Sequence, residues 1–131
     1  MSGWRSARLA DLNSRDGWVP VRDHFGIAAF GINGWVGDRE GETVIAEHAE
    51  SASGHEELYL VTAGHATFTV DGDEIDAPTG TLVCVRDPAL IRRAVAREPG
   101  TTVLAIGATP GEAFHVSPLS EDAIRSKGWL R

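Results

Sequence analysis

Residues 55–72 read HEELYLVTAGHATFTVDG. Two runs rich in Val, Thr, Leu and aromatics flank Ala63-Gly64, and Asp71-Gly72 closes the second run. Gly tolerates the positive φ of tight turns, so the stretch reads as strand, turn, strand. Successive side chains of a strand point to opposite faces. His55, Glu57, Tyr59 and Val61 therefore share one face, and Glu56, Leu58 and Leu60 the other. Both faces hold apolar residues, so alternation alone leaves open which one turns inward.

Working outward, the same texture repeats. GIAAFGINGWVG, ETVIAEHAE, DEIDAP, TLVCV, IRRAVARE and TTVLAIGA are all short, β-prone and bounded by Gly, Pro or Asp. Short strands at this spacing point to an all-β sandwich or barrel. No amphipathic helix of ten residues interrupts them, which argues against βαβ units. Residues 1–25 form an irregular lead-in with at most one or two helical turns around Ala7–Leu12, because Gly17 and Pro20 stop anything longer. The barrel is expected over residues 26–116. A tail over residues 117–131 carries the signals of a short helix: Ser120 as cap, Glu121 and Asp122 in the first turn, Lys127 in the last and Gly128 at the end.

The bulk properties restrict function. The 131 residues suit one domain with its own core. A net charge of −7 with no basic stripe disfavours nucleic acid as a partner. Cys84 is the single cysteine, so an internal disulfide and a Cys-based metal motif are excluded. MSGWRSARLADL lacks the apolar core of a signal peptide, and no run has the length of a membrane span. A cytoplasmic protein without membrane contact is the expectation.

Glu57, then LYLVTA, then Gly64 gives a Glu–six residues–Gly element, and Gly80 opens TLVCV. These elements resemble the first and second motifs of the cupin superfamily over about residues 41–107. The resemblance implies a cupin-type double-stranded β-helix, or jelly-roll barrel, with Glu57 facing inward. It also implies where metal-binding histidines would stand. Those positions hold Ser51 and Ser53, or Glu50 and Ala52 with a longer spacer, and Ile91 in the second motif. Arg86 and Pro88 replace the motif proline and glycine. The metal motif is thus degenerate, and no cofactor is favoured. A rebuilt set of His48, His55 and Glu57 is the alternative. Two His and a carboxylate are the ligand type of non-haem iron, so Fe, Mn or Zn would be the candidates.

Three functions remain open at this point, and the sequence does not decide between enzyme and binder. The first is a barrel binding a small organic molecule, with isomerase- or cyclase-like chemistry by His55, Glu57 and Tyr59 as acid–base groups. Arg93 and His48 would then bind substrate, since an inward Arg93 could clamp a carboxylate or pair with Glu57. The second is a metal-dependent, oxygenase-like enzyme using the rebuilt set. The third is an interaction module whose barrel is filled by side chains. A homodimer is expected, because an open jelly roll has sheet edges to cover.

Overall fold

A computed structural model describes residues 3–14 and 16–116. The tail helix expected after residue 116 lies outside these residues. The elements are α1 (Leu9–Leu12), β1 (Trp18–Val19), α2 (Val21–Phe25), β2 (Gly31–Gly37), β3 (Thr43–His48), β4 (Glu56–Ala63), β5 (His65–Val70), β6 (Asp73–Pro78), β7 (Leu82–Val85), β8 (Arg92–Ala96) and β9 (Thr101–Ala108). Each of the β-prone segments read from sequence contains one of the strands β2 to β9. The lead-in differs from expectation in two ways. Trp18–Val19 joins the sheet as an edge strand beside β2, and Pro20 begins a second short helix rather than ending one. Pro fits there because a first-turn residue has no intrahelical N–H bond to lose.

The strands form two antiparallel sheets. Sheet A has the order β1-β2-β9-β4-β7, and sheet B has the order β3-β8-β5-β6. The two sheets face one another across the core. Sheet A contributes Tyr59, Val61, Val83, Val85 and Val103, and sheet B contributes Ile45, Ala66, Phe68, Ala77, Ala94 and Ala96. Large side chains on one sheet thus meet mostly small ones on the other. Tyr59 and Phe68 meet at the centre, with ring centroids 5.5 Å apart. This resolves the parity of the opening hairpin. Tyr59 and Val61 are buried, so Glu57 shares the inward face, while Leu58 and Leu60 look outward.

Two turns carry the strand order. Asp71 and Gly72 both have positive φ, 50° and 84°, and join β5 to β6 as a two-residue hairpin. That is the type I′ geometry matching the twist of the flanking strands. Gly64 has a different task, passing the chain from sheet A to sheet B. Its φ is 75°, and a Cβ there would stand 2.5 Å from Thr101 Oγ1 and 2.6 Å from Thr101 Cα. The buried Thr101 hydroxyl is itself fixed, donating to the Glu98 carbonyl at 2.7 Å and accepting from the His65 amide at 3.2 Å.

The two glycines should therefore respond differently to alanine. At Gly72 nothing lies within 4 Å of the added carbon. Gly72→Ala should cost only the backbone term of roughly 1–2 kcal/mol. Gly64→Ala adds overpacking against backbone, roughly 1–3 kcal/mol more. Denaturant midpoints of both variants measure the difference, and equal losses would contradict this account of the corner.

Candidate functional site at the barrel mouth

Glu57 stands near the start of β4, opposite Gly107 of β9. A Cβ at Gly107 would lie 2.9 Å from the Glu56 carbonyl and 3.0 Å from Glu57 Cγ. The absence of a side chain at 107 therefore lets Glu57 lie over the sheet at the open end of the barrel. Three groups converge on its Oε1. The Tyr59 hydroxyl donates to it from two residues along the same face. Arg92 Nη1 donates to it at 2.8 Å from β8 of the facing sheet. His48 Nε2, at the end of β3, lies 3.6 Å away.

Arg92 is the residue that sequence reading misplaced. The sequence puts Arg93 on the same side as Ile91, inward if Ile91 is inward. The two do share a face, and it is the outer one: Ile91 is 55% exposed, and Arg93 lies at the surface 3.9 Å from Glu47. Arg92 takes the inward position, with a relative exposure of 0%. Burying a guanidinium requires partners for its donors. Besides Glu57, Nε donates to the Leu90 carbonyl at 2.9 Å and Nη2 to the Asp87 carbonyl at 3.4 Å.

Glu50 is the second residue that the candidate set lacked. The loop from Ala49 to His55 is fixed by backbone bonds from Glu50 N to the Pro88 carbonyl and from Gly54 N to the Glu50 carbonyl, both 2.7 Å. It aims the Glu50 carboxylate at His48 Nε2, 2.9 Å away. Its position had a signal, since Glu50 stands at one of the motif histidine sites. His55 sits at the rim. Its Nδ1 is 3.7 Å from Glu50 Oε1, and its ring lies against Phe114 with centroids 5.7 Å apart.

The charges follow from these contacts. Burial opposes a charge on His48, but hydrogen bonds with Glu50, Glu57 and the Ala46 carbonyl, and the charge of Glu57, outweigh it and raise its pKa to about 10. Burial works against ionised Glu50 as well, and is outweighed by the His48 and Ser53 hydrogen bonds, so its pKa falls below the ordinary value. Tyr59 is pushed well up, first by burial and then by the charge and hydrogen bond of Glu57, so it keeps its proton. The mouth thus holds two cations, His48 and Arg92, against the carboxylates of Glu50 and Glu57.

Could this set hold a metal? One ligand atom each from His48, Glu50 and Glu57 lie within 4.8 Å of one another, so these three could. The third donor in that group is Glu50, not the His55 of the rebuilt set. Two features oppose a cation. A ligating imidazole must be deprotonated, and with its pKa raised to about 10 in the metal-free site His48 would have to give up a proton to a metal. Arg92 also places a permanent positive charge 2.8 Å from Glu57 Oε1.

Two outcomes are expected. Arg92→Met removes one partner of a buried pair and should cost about 3–5 kcal/mol; pairing it with Glu57→Leu should recover a large part, read from denaturant titrations. The pH response has a definite sign. The folded-state pKa of His48 is raised, so its stabilising contribution is complete below about pH 6.5 and is lost as pH rises to about 10. Unfolding midpoints measured across that window should fall in the native chain, and the slope should flatten in His48→Gln.

No protein-family profile and no curated protein matches the chain. Solved structures do. A cupin protein from Bacteroides fragilis superimposes with a TM-score of 0.67 at 19% identity, over 89% of this chain and 93% of that one. A sugar phosphate isomerase of the cupin superfamily from Silicibacter pomeroyi gives 0.59 at 20% identity, over 82% and 67% of the two chains. A predicted oxalate decarboxylase from Thermotoga maritima gives 0.53 at 16% identity, over 67% and 73%. With two facing antiparallel sheets and this likeness over most of its length, the chain has the cupin fold.

Proposed function

We propose that this chain binds a small organic molecule at the mouth of its barrel without a resident metal. The observation that carries this reading is the contact between the fully buried Arg92 and Glu57 Oε1 at 2.8 Å. Glu57 is the one motif carboxylate left of the usual ligand set, and a side-chain cation already neutralises it. What remains accessible around it is polar: His48, Glu50 and His55, all partly exposed at the rim. A few convergent polar groups, such as these, fix the orientation of a molecule bound in the mouth of a β-barrel.

The proton states favour binding over a strong acid or base. His48 and Tyr59 act as fixed donors and Glu50 as a fixed acceptor near neutral pH. If the bound molecule is also transformed, an isomerase-type proton shift would fall to His55 and Glu57, which flank the same opening. The sugar phosphate isomerase among the structural neighbours supports that chemistry by fold analogy alone.

A metal centre at His48, Glu50 and Glu57 is the second reading, favoured by their approach within 4.8 Å. One experiment addresses both. The purified chain is assayed for bound metal, then melted in the presence of a metabolite panel and of Mn²⁺, Fe²⁺ and Zn²⁺. A ligand at 100 times its Kd adds about 2.7 kcal/mol, which in a domain of this size raises Tm by roughly 10 °C. The expected result is a shift from an organic molecule, lost in His48→Ala, with metal content near zero. Stoichiometric metal would replace the first reading with the second. No shift from any organic compound would leave a barrel filled by its own side chains.

A further inference from the structure

The inner face of sheet A has a sparse strip at the mouth. Across β2, β9 and β4, one row reads Gly31, Gly107, Glu57, and the next reads Asn33, Ala105, Tyr59. Between Asn33 on one side and Glu57 with Tyr59 on the other, the floor carries nothing larger than a methyl group. Among the described residues, Asn33 Oδ1 is buried there with no hydrogen-bond partner. An acceptor left in that state costs free energy, and native folds rarely keep one without a use.

Phe114 closes one end of the strip. Its ring carbons lie 3.3 Å from where a Gly31 Cβ would stand, and its ring is the one that lies against His55. Gly31 and Asn33 are two residues apart on one face, about 6.6 Å along the strand. An aromatic face and an unmatched acceptor are therefore neighbours. A groove of about 420 Å³ lies on the opposite, outer face of sheet A, over Leu58, Cys84 and Ile106.

Charge narrows the ligand. Arg92 is engaged by Glu57 and two carbonyls, and His48 by Glu50, Glu57 and the Ala46 carbonyl. An anionic ligand would have to break one of these arrangements. A neutral molecule with several hydroxyls would not. Hydroxyls can donate to an amide oxygen and to carboxylates, while ring C–H groups pack on an aromatic face.

From this we propose that the site takes a neutral monosaccharide or cyclic polyol, with Asn33 Oδ1 accepting from a hydroxyl and Phe114 packing on the ring. The assignment rests on the mouth being the binding site, as argued above. The whole chain is titrated with D-xylose, D-glucose and myo-inositol, followed by calorimetry and by the amide signals of Gly31 and Gly107. At least one compound should bind and move both signals. Asn33→Ala should weaken it about tenfold, the effect of one lost hydrogen bond. Phe114→Ala, beyond the last strand, should weaken it too while leaving cooperative unfolding intact. Binding unchanged in both variants, or signals moving only elsewhere, would overturn the proposal. So would the failure of all three compounds to bind. If another metabolite then binds in a His48-dependent way, only the sugar assignment falls; if nothing binds at the mouth, the binding-site reading falls with it.

Discussion

The contact between Arg92 and Glu57 ties the two sheets together at the open end of the barrel. Arg92 comes from sheet B and Glu57 from sheet A, and His48, also from sheet B, approaches the same carboxylate oxygen at 3.6 Å. Its cost is desolvation, since two charges leave water. It is tolerated because the guanidinium reaches two backbone carbonyls besides Glu57, and the carboxylate receives the Tyr59 hydroxyl as well. The pair explains how a side chain as large and polar as Arg92 is fully buried beside Tyr59 and Phe68. It also fixes where everything else at the mouth can go. His48 must approach Glu57 from the side that Arg92 leaves open, and Glu50 then balances His48.

The hydrophobic half of the interior is conventional by comparison. Tyr59 belongs to both halves. Its ring packs on Phe68 in the core and its hydroxyl belongs to the polar cluster. The boundary between packing and chemistry thus runs through one side chain. A change at Tyr59 would disturb the core and the Glu57 environment together, which makes it a poor probe of function. His48 and Glu50, partly exposed and held by loop and strand ends, are better ones.

Much of the fold was legible in the sequence because its signals are local. Alternation, β-branched residues and the Asp71-Gly72 turn mark strands without reference to partners. The Glu57–Gly64 element added the long-range order by resemblance. The site was less legible, and the reason is register. Arg92 and Arg93 are adjacent, and a shift of one residue exchanges inside for outside. Counting from Gly80 placed the motif position at Ile91, but the chain between β7 and β8 is irregular here. Nothing local in IRRAVARE tells which Arg turns in. What decides it is the pairing of β8 with His48 on β3 and Val70 on β5, a tertiary fact. Glu50 was missed for a different reason. Its direction is set by a loop closed onto Pro88, a partner far along the chain.

The same register argument bears on how far the structural neighbours inform this chain. A cupin scaffold supplies an inward carboxylate at the barrel mouth, and what that carboxylate faces decides the chemistry. Facing several neutral imidazoles, it can share a metal. Facing Arg92, it becomes half of an ion pair, and His48 stands between it and Glu50. Both changes work in one direction. On the proposed reading they put two cations of the chain where an external one would otherwise bind. On the metal-free reading proposed above, recognition comes from hydrogen bonding and shape. That shifts attention from the residues at the metal positions to those beside them, on strips such as Gly31, Gly107 and Ala105, where the scaffold withholds side chains.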